Sequence, residues 1–174
     1  MSTLEFAVRP AADRFGLKGP QAPQWLQGFG IEVPAAPNTW SRSALFVARL
    51  GTGEFFIEDE AGGVTLRGMI PGPDANPPGV YPVLREDAAF LLSGEGALEV
   101  LAQICNIDFS TLALAPRPVV MTSMIGVSVL VVPAEAADGR CFRIWCDPTF
   151  GRYFEETVGH IVIECGGNYT GVSV

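Results

Sequence analysis

Two stretches, Phe15–Gly30 (FGLKGPQAPQWLQGFG) and Phe90–Cys105 (FLLSGEGALEVLAQIC), share a framework at an offset of 75 positions. Phe15, Leu17, Gly19, Ala22 and Leu26 fall on Phe90, Leu92, Gly94, Ala97 and Leu101. In each stretch an extended apolar segment meets a glycine turn, after which the apolar residues take helical spacing; this is the pattern of a strand running into a helix. The same offset carries the match outward. Phe6 and Val8 meet Tyr81 and Val83 upstream; Leu50-Gly51 meets Ile125-Gly126 and Phe55-Phe56-Ile57 meets Leu130-Val131-Val132 downstream. The chain therefore reads as a duplicated unit.

In the first copy, strands are expected at Leu4 to Arg9, Arg14 to Lys18, Ser43 to Leu50 and Glu54 to Asp59, with a short one at Val64 to Arg67. Pro20 suits the first position of a helix whose apolar face is Trp25, Leu26 and Phe29, ended by Gly28 and Gly30. The following IEVPAAPN reads as a loop. Gly51-Thr52-Gly53 makes a tight turn between two strands. In the second copy, strands are expected at Tyr81 to Leu84, Ala88 to Leu92, Val119 to Met124, Val127 to Val132 and Cys141 to Cys146, with a helix from Glu95 to Cys105. Asp147-Pro148 is an N-cap and first-turn proline for a C-terminal helix. Its apolar stripe includes Phe154, Val158, Ile161 and Val162; Gly159 weakens its middle and Gly166-Gly167 stops it. The last eight residues look loosely ordered.

Gly68–Gly79 (GMIPGPDANPPG) holds four Pro and three Gly. It cannot be a helix or a central strand, and it falls between the copies. The expected organisation is 1–67, first α+β repeat; 68–79, linker; 80–174, second α+β repeat with the C-terminal helix. Hairpins alternating with helices argue for an α+β fold of two duplicated halves, with antiparallel strands and one or two helices each.

The composition narrows the partners. With 11 Lys and Arg against 19 Asp and Glu, the net charge is −8. No basic track exists for phosphates, so neither nucleic acid nor an anionic membrane surface is an expected partner. The longest apolar run, Met121 to Pro133, is too short to span a bilayer. MSTLEFAVRP has no apolar run behind a basic start, so a cytoplasmic location is expected. Charged residues make up 17% and mean hydropathy is +0.30, whereas an average domain is roughly one quarter charged. Two readings stand side by side: a well-filled core with many Gly and Pro loops, or a surface partly covered by another chain.

No motif supplies a reaction centre, and no catalytic, cofactor-binding or metal-ligating residue is assigned. Lys18-Gly19-Pro20 and Ser93-Gly94-Glu95-Gly96 could face an anion at a helix N-terminus, yet neither matches a phosphate-binding pattern and Glu95 would repel one. They read as tight strand-to-helix turns. Glu58-Asp59-Glu60 offers paired carboxylates, but beside a Gly-Gly turn it reads as a solvated charged turn. His160 is the one histidine and has no nameable nucleophile or acid beside it. Cys105, Cys141, Cys146 and Cys165 lack metal spacing. Cys141 and Cys146 lie five apart in a strand and point to opposite faces, and all four read as buried free thiols. Asn168-Tyr169-Thr170 is formally a glycosylation sequon, without meaning in the absence of a secretory signal.

The second copy resembles a known family. FLLSGEGALEVLAQICNIDF, then the strand pair around SMIGVSVLVV, then CFRIWCDPTFGRYFEETV, is similar to the folate-binding aminomethyltransferase superfamily that includes the glycine cleavage T-protein. The phrase L-S-G-x-G-A-x-x-V-L followed by a short I-D segment carries that likeness. RFGLKGPQAPQWLQGFGIEVPAAPNTW followed by ARLGTGEFFIED resembles the gamma-subunit family of heterotetrameric sarcosine oxidases. The resemblance covers about residues 5 to 160. It implies a subunit of a complex that oxidatively demethylates sarcosine or a related N-methyl amine and passes the one-carbon unit to tetrahydrofolate. It also implies larger partner flavoprotein chains that carry flavin and NAD. The chain has no residues for the C-terminal β-barrel domain of a complete aminomethyltransferase. A related branch carries K-G-C-Y-x-G-Q-E, whose nearest letters here are Lys18-Gly19-Pro20. No family residue is therefore carried over.

Three functional expectations follow. A non-catalytic accessory subunit would show an apolar exposed patch, for instance on one face of the C-terminal helix. A stand-alone tetrahydrofolate-binding one-carbon transfer protein would need a polar-lined pocket between the halves. A self-associating protein would bury its patch in a homo-oligomer.

Overall fold

The computed structural model describes residues 4–60, 62, 68, 77–136 and 139–171. The described elements run β1 (Glu5–Val8), β2 (Asp13–Lys18), α1 (Ala22–Gly28), β3 (Thr39–Arg42), β4 (Phe46–Gly51), β5 (Glu54–Asp59), β6 (Tyr81–Leu84), β7 (Ala88–Ser93) and α2 (Ala97–Ile104). They continue with β8 (Val120–Met124), β9 (Val127–Ala136), β10 (Gly139–Cys146), a 3-10 turn (Pro148–Phe150), α3 (Gly151–Glu164) and β11 (Asn168–Thr170). These form two compact units, one of residues 12–86 and one of residues 1–11 with 87–174. Each is an α+β unit built on its own sheet.

In the unit of residues 12–86, an antiparallel sheet takes the order β3-β4-β5-β2-β6. Strand alternation sorts its side chains. Phe15 lies opposite Ile57 and Leu17 opposite Phe55, while Val47 lies opposite Ile57, so these apolar groups share one face. Ala22 and Leu26 of α1 close onto that face with Ile31 and Val80. The other face of β5 carries Phe56 and Glu58, which are also buried. Phe55-Phe56-Ile57 is an unbroken apolar run because β5 is covered on both sides, as in any doubly buried strand.

The second unit holds a six-stranded sheet in the order β11-β1-β7-β10-β9-β8. Its pairs are antiparallel except β1 with β11, which is parallel. α2 and α3 supply Val100, Leu101, Phe154, Val158 and Val162 to a core with Phe6, Phe90, Leu92, Val131, Phe142 and Ile144. Phe90 stands at its centre, with its ring 5.5 Å from Phe6 and 5.1 Å from Phe154. Such aromatic pairs add contact energy beyond the area they bury. Cys146 joins this core while Cys141, five residues earlier on β10, is outside it, as alternation requires.

Several sequence expectations change in detail. The compact units do not follow the 1–67 and 80–174 division, because β1 pairs with β7 and β6 pairs with β2. Residues 64–67 and most of 68–79 lie outside the described residues. α2 begins at Ala97, two residues later than Glu95, because Gly94 turns the chain at φ +98°. α1 likewise begins at Ala22, with Gln21 as its N-cap, so Pro20 stays in the turn and Pro23 takes the first helical turn. The strand expected from Ser43 starts later, as β4 at Phe46, and an unexpected strand, β3, precedes it at Thr39–Arg42. The tail residues Asn168–Thr170 are a strand beside β1.

Gly159 has a packing reason that helical propensity conceals. A Cβ there would lie 3.2 Å from the Tyr169 ring. The helix gives up about 1 kcal/mol of intrinsic propensity so that the segment entering β11 can lie against it. Tyr169 also donates its hydroxyl to Glu155.

Candidate functional site

The glycine turns ahead of α1 and α2 are closed hydrogen-bonded corners. The Gly19 N–H donates to the Gly53 carbonyl at 2.8 Å, the Gln21 N–H to that of Gly79 at 3.0 Å, and the Ala22 N–H to that of Gly19 at 3.2 Å. Pro23 has no N–H to offer. In the second turn the Ala97 N–H donates to the Gly94 carbonyl at 3.1 Å, and Glu99 and Val100 both donate to Gly96. These N–H groups are spent within the turns. Backbone crowding explains the glycines: a Cβ on Gly53 would lie 2.4 Å from the Gly19 carbonyl oxygen. Gly53→Ala is expected to cost about 1–3 kcal/mol, the usual range for overpacking, and to lower the midpoint of a circular-dichroism melt with the native spectrum retained.

The carboxylate run at the end of β5 is not the solvated turn its letters suggest. Glu58 is 0% and Asp59 2% exposed. β5 extends through Asp59, so register places Glu58 directly opposite Arg14 of β2, and the two form an ion pair. Asp59 accepts the Gly62 N–H at 2.9 Å. Glu60 pairs with Arg42 at 2.9 Å. Glu58 and Asp59 are committed to the fold, while Glu60 is partly exposed.

His160 is exposed on α3, where its Nδ1 donates to the Glu156 carbonyl at 2.8 Å. None of the four cysteines is in a disulfide. Two are buried as expected. Burial, followed by the charges of Asp87 and Asp147, pushes the Cys146 thiol up to about 11, far from a reactive thiolate. Cys105 lies 3.8 Å from the Thr122 hydroxyl. Cys141 and Cys165 are only partly buried, and Cys165 accepts a hydrogen bond from Gln103 at 3.3 Å. Among the described residues no group of three or more His, Cys, Asp or Glu is placed to hold a metal ion, and no helix is long and apolar enough to cross a membrane.

Among the described residues, two surface features of the unit of residues 1–11 and 87–174 bear on function. Beside α2, the loop through Asn106–Ser110 leaves a hollow of about 280 Å³. Leu98, Leu101, Ile107 and Phe109 give it apolar walls, and Glu99 and Asp108 add carboxylates. Asp108 accepts the Ser110 hydroxyl at 2.5 Å and the Ser110 N–H at 2.9 Å. These bonds, the hydroxyl's first, hold its carboxyl below the usual value and keep it ionised. Sequence reasoning missed this hollow. Its readable trace is Asp108-Phe109-Ser110, in which Asp bonds the backbone two residues on and bends the chain. The second feature is on α3 and the 3-10 turn before it, where Phe150, Tyr153 and Ile163 are each about half exposed. The Tyr153 hydroxyl donates to the Ile125 carbonyl at 3.2 Å, so the ring's edge is held while its face stays in water.

The architecture is that of the aminomethyltransferase T class, an α+β fold of antiparallel sheets with few helices. The aminomethyltransferase T of the glycine cleavage system from Bartonella henselae matches 97% of the chain with a TM-score of 0.68 at 13% identity. The chain spans 48% of that protein, about half its length. A chain of the heterotetrameric sarcosine oxidase from Corynebacterium sp. U-96, solved in complex with pyrrole 2-carboxylate, has the same fold. It matches 88% of this chain and 78% of its own length, with a TM-score of 0.63 at 21% identity. No family model matches the sequence, and no curated protein does.

Proposed function

We propose that the chain is a small accessory subunit, without an active site of its own, of a sarcosine-oxidase-like hetero-oligomer. The observation that carries this reading is the likeness to one chain of a heterotetrameric sarcosine oxidase over 88% of this chain and 78% of that one. The aminomethyltransferase, by contrast, has a further half that this chain does not match. The exposed Phe150, Tyr153 and Ile163 and the low charge content fit a chain that works against other chains.

In this reading the complex oxidises the N-methyl group of sarcosine or a related amine. Flavin and NAD reside on larger partner subunits, and the carbon passes to tetrahydrofolate in the cytoplasm. The two halves descend from one duplicated unit. This is supported by β2 and β7 lying 75 residues apart at both ends, and by positive φ at both Gly19 and Gly94.

The alternative is a stand-alone tetrahydrofolate-binding one-carbon transfer protein, favoured by the fold match over 97% of the chain to an aminomethyltransferase. Affinity purification from the native host, with native mass spectrometry and a visible absorbance scan, separates the two. Recovery with larger, yellow subunits that oxidise sarcosine is expected. Recovery of a colourless chain that binds tetrahydrofolate in a titration would replace this reading with the alternative.

A further inference from the structure

We propose that the hollow beside α2 is a docking point for an apolar side chain borne on a Lys- or Arg-rich segment of a larger partner subunit. This inference deepens the accessory-subunit reading and rests on it. Leu98, Leu101, Ile107 and Phe109 present an apolar cup with room for one Leu, Met or Phe side chain, and Glu99 and Asp108 flank it with exposed carboxylates. An anchor seated in a well-packed, desolvated pocket is how an interface hot spot is built, and opposite charge beside it adds specificity.

The charge distribution selects the occupant. Residues 1–11 and 87–174 carry eleven acidic against five basic residues, while residues 12–86 carry eight against six. Six of the eight net negative charges therefore belong to the unit that bears the hollow. Arg140 donates its guanidinium to the Phe109 carbonyl, so this cation holds the loop's backbone. A second copy of this chain would bring the same acidic surface against itself, and like charges facing one another are costly. A folate, whose glutamate tail is anionic, would meet the same repulsion. A basic segment of another chain gains on both counts.

The test uses the co-purified complex with two replacements at exposed positions of α2, Ala102→Trp to fill the cup and Glu99→Lys to reverse its charge. Each is expected to reduce recovery of the flavin-bearing subunits at least about tenfold, the loss typical of a damaged hot spot. The melting temperature of the isolated variant should be unchanged, and the wild-type complex should weaken as salt rises. Carbodiimide coupling, which joins a carboxylate directly to an amine, is expected to link Glu99 or Asp108 to a lysine of a larger subunit. Wild-type recovery for both variants, or coupling of these residues to a second copy of the chain, would overturn the site alone. Failure of the wild-type chain to bring down any flavin-bearing subunit would overturn the accessory reading and this site with it.

Discussion

Glu58→Ala is expected to destabilise the chain by about 3–5 kcal/mol, the cost of removing one partner from a buried ion pair. The residue is fully buried and its partner Arg14 is 6% exposed in its side chain, so water reaches neither group to replace the lost interaction. The remaining guanidinium would sit among strands that also bury Phe46 and Phe56, without this carboxylate. A loss of that size is a large share of what a domain of this length has in total, so urea unfolding monitored by far-ultraviolet circular dichroism should show the midpoint collapse. Arg14→Met with Glu58→Leu supplies the control. Exchanging both charges for apolar groups of similar volume removes the desolvation cost together with the attraction, and should recover most of the wild-type stability. If the single Ala variant unfolds within 1 kcal/mol of wild type (about fivefold in the equilibrium constant), the pair is not the anchor of β2 to β5 proposed here.

Phe90→Ala carries a comparable expected loss of about 3–5 kcal/mol, through a cavity rather than a charge. The side chain is 1% exposed and lies between Phe6 of β1 and Phe154 of α3. Its removal therefore loosens two sequence-distant elements from β7 at once. Phe90→Leu, which keeps most of the volume, should cost less than about 1.5 kcal/mol. Equal losses for the two replacements would mean that ring packing matters more than filled volume. Urea titrations of all three proteins at matched slope distinguish these outcomes.

Where the chain's local preference and its tertiary environment agree, the elements were legible before any coordinates. β5 and β6 fall at the expected residues because each run is bounded by glycine, proline or charge. α2 and α3 are announced by apolar spacing over two or more turns, and their ends moved only where Gly94 and a 3-10 turn intervened. β3 was invisible because it is four residues long and follows a Pro-rich loop. It is held by pairing with β4, by the Ser41 hydroxyl donating to the Glu32 carbonyl at 2.8 Å, and by the Trp40 ring 5.8 Å from that of Phe46. β11 was missed for a related reason. Its partner, β1, is at the opposite end of the sequence, and a three-residue strand carries no periodicity of its own.

The candidate site divides along the same line. That Gly19 and Gly94 mark tight strand-to-helix turns and that Cys141 and Cys146 face opposite ways follow from local spacing, which backbone geometry obeys regardless of context. The burial of Glu58 and Asp59, the hollow between Leu98 and Phe109, and the pairing of β1 with β7 and of β6 with β2 are decided by tertiary structure. Burial and pairing depend on which segments arrive beside a residue from elsewhere in the chain. Glu58 reads as a surface carboxylate until β2 brings Arg14 across from it. The strand-and-helix framework at an offset of 75 residues was written in the sequence alone, because hydrophobic periodicity is local; the partners of its edge strands and acidic groups belong to the fold.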